Sequence, residues 1–407
     1  MIFNTWLFGL FGVILFVLYW YVVPKAWRAV LLMVAGLVFY SASIPAYLIL
    51  IFALGAVTYA VIRWLLSLPP EKIGMRRFAM TTGVIASVGV LVLFKYSKLF
   101  AITFGSLCQG GCAHLVPNII VPLAISFFTF EFVHVLVDVY LGKIKRVTFQ
   151  DFWLFTLFFP TMVAGPIKRY QNFVPQIGQV LMRDRLDGML FATGLFRVIL
   201  GLAKKSIIAD SMTPLTQPLL APAAHYVPAD YWIGALAYTA KIYFDFTGYS
   251  DIAIGVSLLL GFQILENFDR PYWSQNIGIF WRRWHISLSS WIRDYIFIPL
   301  GGSRRGKLLT IANLAVVMGL AGLWHGAAGH FVVWGLWHGA GLGIHRLWSV
   351  SVAPRMSVTF ARSNLVAAIS LLTTFLFVVF GWVLFASPTV HVAGIVYAQM
   401  LGLHVPL

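Results

Sequence analysis

Polar positions are sparse along this chain, and their spacing cuts it into apolar runs of membrane-crossing length. Residues 5–23 form the first run, with no charge before it and Lys25 and Arg28 just after it. The run is too long and too aromatic for a cleaved signal peptide, and no small-residue cleavage site follows, so it reads as a transmembrane helix. Runs at 29–43 and 45–66 come next, and Arg63, Lys72, Arg76 and Arg77 mark the loop after them. A helix near 78–94 follows, with Lys95 and Lys98 snorkelling at its end. Residues 119–140 make a further crossing that stops before Lys143, Lys145 and Arg146. Basic residues collect in cytoplasmic loops. The alternation therefore puts the N-terminus outside, the three basic loops inside, and the 105–117 loop outside.

Beyond residue 146 the pattern breaks up. Residues 152–167 are apolar but interrupted by Pro160 and Pro166, with Lys168 and Arg169 directly after. A short re-entrant segment fits, because broken backbone at membrane depth is tolerated where protein buries it. Residues 187–203 read as an outward crossing and 213–230 as a Pro-rich outer loop. Residues 231–263 return as one long helix or as two short ones broken near Gly248. The stretch 264–307 is different. It interleaves Arg270, Arg282, Arg283, Arg293, Arg304, Arg305 and Lys307 with Trp273, Trp281, Trp284 and Trp291. That mixture predicts amphipathic or re-entrant helices on the cytoplasmic side. Spans near 308–325, 331–348 and 364–386 follow, and 389–407 reads as a partial span. The expectation is an all-α polytopic membrane protein with about eleven crossings. No interdomain linker or low-complexity tract appears, so residues 1–407 read as a single domain.

Composition sharpens this. The chain is 60% hydrophobic and 10% charged, against about 25% charged in a soluble globule, which excludes a soluble enzyme. The net charge of +16 would suggest nucleic acid in a soluble protein. Here it follows from basic inner loops, so nucleic acid is not expected, while membrane lipids and anionic carriers are. Cys108 and Cys112 are either a small disulfide or two unpaired loop thiols. A metal there would need more ligands than the nearby His114.

The candidate chemistry is histidine. Gly-Leu-Trp-His-Gly-Ala occurs twice, at 322–327 and 335–340. An ionisable group at membrane depth is a functional candidate by default, which singles out His325 and His338. For His325, catalysis and a structural hydrogen bond between helices both stay open. For His338, packing on a Gly-rich helix is the better reading. His285, in Trp-Arg-Arg-Trp-His-Ile-Ser-Leu-Ser (281–289), is a second candidate. Histidine suits proton removal from a hydroxyl because its ordinary pKa is about 6.5. His325, His330, His338 and His345 lack a carboxylate or cysteine partner nearby, so no metal is expected. Glu131, His134 and Asp138 share one helix face at i, i+3 and i+7. They form a proton path or a satisfied polar cluster, the latter preferred. Asp245 and Asp251 are expected to pair with an arginine of 270–293. No phosphate loop, serine elbow or dinucleotide fingerprint is present.

Several longer motifs carry a resemblance. Glu-Asn-Phe-Asp-Arg-Pro-Tyr-Trp (266–273) is followed by Phe-Trp-Arg-Arg-Trp-His-Ile-Ser-Leu-Ser-Ser-Trp-Ile-Arg-Asp-Tyr-Ile-Phe-Ile-Pro-Leu-Gly-Gly (280–302) and Gly-Leu-Trp-His-Gly-Ala (322–327). Supporting pieces are Pro-Leu-Ala-Ile-Ser-Phe-Phe-Thr-Phe (122–130), Ala-Gly-Pro-Ile-Lys-Arg-Tyr (164–170), Phe-Asp-Phe-Thr-Gly-Tyr-Ser-Asp-Ile-Ala-Ile-Gly (244–255) and Phe-Gly-Trp-Val-Leu-Phe (380–385). In this order, over about 85–385, they resemble the membrane-bound O-acyltransferases (MBOAT) and, within them, the bacterial alginate O-acetylation branch. The branch that exports D-alanine to teichoic acids is similar. Its usual pattern has Asn where Arg282 stands and lacks the Ile-Pro-Leu-Gly-Gly ending, so acetyl is the preferred cargo.

The resemblance implies a ring of tilted helices around a tunnel, in a bacterial cytoplasmic membrane. His325 matches the family's active-site histidine and His285 a second polar position. Trp324, Asn267, Arg282, Arg283, Asp245, Asp251, Glu131, His134 and His338 are candidates for the tunnel and its support. The implied donor is an acyl thioester, acetyl-CoA or an acyl carrier protein, with no permanently bound cofactor. The acceptor is a hydroxyl of a partner protein or a cell-surface polysaccharide, and an extracytoplasmic acyltransferase is an expected partner. In this scheme His325 is the general base, His285 orients the carrier or shuttles a proton, and Trp324, Trp337 or amides near Gly326 meet the oxyanion. Two departures stand out: Glu131 is where the family commonly has Gln, and His134 is not a usual family residue. The chain also stops soon after 400, where many relatives continue. The rivals are a transporter or scaffold that passes an acylated molecule, in which the Glu131–His134–Asp138 face matters more than His325, and a structural subunit that recruits a periplasmic transferase, in which neither matters.

Overall fold

A computed structural model describes residues 3–42, 45–107, 120–163, 165–357 and 363–403, with the helical backbone alone for 98–107. Cys108, Cys112 and His114 lie outside the described residues. Every regular element among the described residues is helical, as the apolar runs predict. Four helices are long and apolar enough to cross a membrane: Tyr47–Ser67, Ile73–Ser97, Lys307–His325 and Asn364–Ala386. Trp6–Val22 and Val390–Met400 are shorter apolar helices. By length and composition, then, the individual helices do not establish the count of about eleven crossings.

Local chemistry explains most boundaries. Thr5 caps Trp6–Val17 by accepting from the Phe8 amide at 3.3 Å, a common N-terminal device. The helix Ile73–Leu107 starts earlier than the 78–94 run predicts. Arg76 is the reason. Its guanidinium donates to Leu65 O (3.0 Å), Leu68 O (2.9 Å) and Val139 O (3.3 Å), so it serves the open carbonyl ends of two neighbouring helices. A charge that looked like a loop residue is thus a cap. Ile125–Tyr140 starts later than residue 119, after Ala124 at φ 60°. The 152–167 run is indeed broken, into Phe149–Leu157 and a single turn Phe159–Thr161, both largely buried. Residues 228–259 form one continuous helix, Pro228–Leu259, with no break at Gly248.

The chain divides into two compact units. One comprises Met1–Leu202 with Tyr249–Leu265, the other Ala203–Gly248 with Glu266–Leu407. Neither is continuous in sequence, so no linker separates them for a reader of the sequence to find.

The first unit is packed on phenylalanines. Phe173 stacks on Phe262 at 5.0 Å and Phe158 lies 4.7 Å from Phe173. The Glu131–His134–Asp138 face is buried within this unit, and each of its members is met by a residue from another segment. The Lys168–Gln171 segment runs along it. Lys168 Nζ pairs with Glu131, the Tyr170 amide donates to His134 Nε2 at 3.1 Å, and Gln171 donates to Asp138. Lys143 reaches Asp138 from the helix end at 3.2 Å.

The two aspartates are a correction to the sequence reading. Asp251 pairs with Arg197 and Asp245 with Lys205 at 2.8 Å, not with arginines of 270–293. Glycine contact is the cause for Asp251. A Cβ on Gly255 would lie 2.6 Å from Gly194 O, so Gly188–Leu202 runs backbone to backbone against the end of Pro228–Leu259 and carries Arg197 onto Asp251. The arginines of 270–293 are engaged nearer home. Arg282 donates to Gly278 O, Arg283 to Trp273 O, and Arg293 to Asp294.

Candidate active site

The second unit holds both candidate histidines at one cavity. The helices Lys307–His325 and Gly329–Ser351 form a hairpin held by the leading glycine of each hexapeptide copy. A Cβ on Gly322 would fall 2.1 Å from Phe331 O, and one on Gly335 would fall 2.1 Å from Met318 O. Only glycine permits this approach. The first helix ends at His325 because Gly326 is extended (φ −173°, ψ 159°). His325 is therefore the last helical residue, half-buried. Its ring is surrounded by Trp324 (4.6 Å), Phe385 (4.9 Å) and Trp334 (5.1 Å).

His338, in the second copy, has a different setting inside its helix. It is fully buried. Trp334 (5.0 Å), Trp281 (5.1 Å) and Phe377 (5.7 Å) enclose it. Neither ring nitrogen has a hydrogen-bond partner among the described residues. The ring is thus enclosed by aromatic side chains within a helix, where His325 stands at a helix end.

His285 is held differently again. It lies in the left-handed region (φ 45°, ψ 53°), between Ile277–Arg283 and Ile286–Ile292. A non-glycine residue there costs about 1–3 kcal/mol. Asn267 offsets the strain. Its carbonyl accepts from the Ile286 amide at 2.9 Å. Its Oδ1 accepts from the Ser287 amide (3.2 Å) and the Ser287 hydroxyl (2.8 Å), and lies 3.2 Å from His285 Nδ1. An amide N–H can only donate, so the Asn267 atom is the oxygen and His285 Nδ1 carries the proton. His285 Nε2 then presents a lone pair. It is buried and has no partner among the described residues.

His285 and His325 both line one cavity of about 200 Å³, with the Trp324 ring beside each (6.1 and 4.6 Å). The walls are mostly apolar and include no carboxylate; Arg293 is the charged residue among them. Trp281 and Trp334 also line it, and their indole N–H groups are buried without a partner among the described residues. Trp337, a candidate for the same donor role, is already committed to Phe377 O at 3.1 Å. That is a second correction. Arg282 and Arg283 lie outside the cavity lining, as do Asp245 and Asp251, while Asn267 supports it through His285. Among the described residues no three of His, Cys, Asp and Glu come together as a metal-sized group.

Sequence reasoning missed Trp281 and Trp334. Trp281 precedes His285 by four residues, but the extended Trp284 between them breaks the helical register. Trp334 precedes His338 by four within one helix, and that spacing was a usable signal.

One prediction arises here. Asn267→Leu removes an acceptor shared by three donors, and buried unpaired donors cost about 1–3 kcal/mol each. Transfer at matched protein level should fall roughly ten-fold or more, and Asn267→Asp, which keeps an oxygen acceptor, should restore part of it. A wild-type rate in Asn267→Leu rules out this positioning role.

A helical membrane protein with a histidine-bearing apolar cavity is the class that fold and site define. The chain belongs to the MBOAT, membrane-bound O-acyltransferase family, whose profile matches residues 75–387, and it is an acyltransferase. It is 37% identical over 409 residues to the probable alginate O-acetylase AlgI of Azotobacter vinelandii, covering 99% of this chain and 78% of that one. It is 33% identical to the peptidoglycan O-acetyltransferase of Helicobacter pylori (94% and 74% covered). It is 30% identical to the teichoic acid D-alanyltransferase of Bacillus subtilis (68% and 72% covered).

Proposed function

We propose that this acyltransferase moves an acetyl group from a cytoplasmic thioester, acetyl-CoA or an acyl carrier protein, to a hydroxyl of a cell-surface polysaccharide or of an extracytoplasmic partner protein. The observation that carries the reading is the sharing of one apolar cavity by His325, His285, Trp281 and Trp334, the two indoles having no hydrogen-bond partner among the described residues. His325 takes the proton from the acceptor hydroxyl as its oxygen attacks the thioester carbonyl. Its place at a helix C-terminus favours the positive charge that the ring gains. The indole N–H groups of Trp281 and Trp334 are the candidate donors to the oxyanion. Collapse of the tetrahedral intermediate breaks the C–S bond, the thiolate leaves, and the proton held by His325 neutralises it. His285 Nε2, able only to accept, orients the hydroxyl.

The cavity supports the choice of cargo. About 200 Å³ suits a small acyl group. A D-alanyl ammonium would meet no carboxylate there and would face Arg293, and an unpaired charge in an apolar site is costly. The transport reading loses support because the Glu131 face is engaged by Lys168–Gln171. The bacterial relatives favour a location in a bacterial cytoplasmic membrane, and the basic residues after the first helix favour an N-terminus outside.

The test is to measure O-acetyl and D-alanyl esters of surface polymers in cells with and without this chain. Loss of acetyl esters alone supports the proposal. Loss of D-alanyl esters replaces the cargo, and no change in either removes the reading.

A further inference from the structure

Two cavities of the first unit, unlike in character, are lined by residues that neighbour each other in sequence. One is an apolar groove of about 630 Å³ along Trp6–Val17, walled on the other side by Gly188–Leu202 and the end of Pro228–Leu259. It runs from Phe3 to Phe16, about 20 Å at 1.5 Å per residue. The other is a polar cavity of about 730 Å³ that includes Arg183, Arg185, Asp187 and Gln263. Their linings include consecutive residues, Leu190 in the polar cavity and Phe191 in the groove. Phe191 packs on Phe16 at 5.9 Å, so the arginines lie past the C-terminal end of the first helix.

The charges at this junction do not cancel. Asp184 is bonded to Lys25, which holds its carboxyl below the usual range. Asp187 caps Gly188–Leu202 by accepting from the amides of Met189 (2.9 Å) and Leu190 (3.2 Å). Buried Arg28 anchors the loop by donating to Leu181 O (3.2 Å) and Arg183 O (2.6 Å). The side chains of Arg183 and Arg185 have no hydrogen bond or ion pair among the described residues. With Arg183 and Arg185 against Asp187, the lining of the polar cavity carries a net positive charge.

We infer that this junction binds one anionic phospholipid, its phosphate at Arg183 and Arg185 and one acyl chain in the groove beside Gly9 and Gly12. The charged end favours a lipid over a partner helix, because an apolar helix offers nothing to the two guanidiniums. Arginine is suited to phosphate because its fork donates two parallel hydrogen bonds. Basic residues at a helix end also favour anionic headgroups over zwitterionic ones.

Detergent-purified protein mixed with phosphatidylglycerol or phosphatidylcholine, followed by native mass spectrometry of retained lipid, tests this. Wild type should keep one phosphatidylglycerol with a preference of roughly ten- to thirty-fold over phosphatidylcholine. Arg183→Gln/Arg185→Gln should bring that ratio near one. Gly12→Phe should lose the bound lipid itself, and it should fold, since a Cβ at Gly12 meets nothing within 4 Å. Equal retention of both lipids by wild type, or a preference that survives the double substitution, overturns the proposal. So does displacement by glycerol phosphate at the same concentration, which would make the site one for a free phosphate. If Gly12→Phe leaves lipid retention unchanged but alters the oligomeric state, the groove is a helix interface instead.

Discussion

His325→Ala should lower acyl transfer by at least about 100-fold while the protein accumulates in the membrane at the wild-type level. The histidine closes its helix, but Gly326, extended at φ −173°, ends that helix whatever stands at 325. The ring is half-buried at a cavity wall, so its removal enlarges a space that already exists. Chemistry is therefore lost without much packing. His338→Ala should show the reverse. That ring is fully buried among Trp281, Trp334 and Phe377, and truncating a large buried side chain costs about 2–5 kcal/mol. The amount of folded protein should fall, and the residual activity should follow that amount. Ester formation per folded molecule, measured in both variants, separates the two. Undiminished transfer by His325→Ala would remove it as the general base.

Gly335→Val should cost more than about 3 kcal/mol of stability, or prevent folding, and Gly322→Val should behave alike. Overpacking a tight interior commonly costs 1–3 kcal/mol. Here the added carbon would lie 2.1 Å from a backbone oxygen of the facing helix, Met318 O for Gly335 and Phe331 O for Gly322. Backbone cannot turn aside as a side chain does, so the helices must part and the end carrying His325 must move with them. Gly12→Ala is the control and should be neutral, because its Cβ enters open space. Thermal unfolding of detergent-purified variants reads the difference. Gly335→Val melting with wild type would mean that the hairpin is not held at its glycines.

The helices were legible because apolar runs of membrane length leave little choice of secondary structure. Their boundaries were less so, since Arg76 looks like a loop residue until four carbonyls are seen to receive it. The doubled hexapeptide drew attention to the hairpin, yet identical local sequence could not separate His325 from His338. That difference arises from a helix end in one case and a helix interior in the other. Partners of Asp251 were out of reach, because the Gly194–Gly255 approach that brings Arg197 to it joins residues with no periodic relation. The cavity was illegible for the same reason. Its walls come from short helices of 277–297 and from two long ones, and only their packing makes them one surface.

The interleaving of the two units bears on how the chain is made. The ribosome delivers residues in order, and N-terminal parts tend to fold first. The unit that begins at the N-terminus is completed by Tyr249–Leu265. It therefore waits while residues 203–248, which belong to the other unit, emerge and enter the membrane. During that interval Arg197 has not yet met Asp251 and Gly194 has not yet met Gly255. A translational pause placed before residue 249 would prolong a state in which Arg197 lacks Asp251 and the Gly194 face stays uncovered, whereas one placed after residue 265 would not.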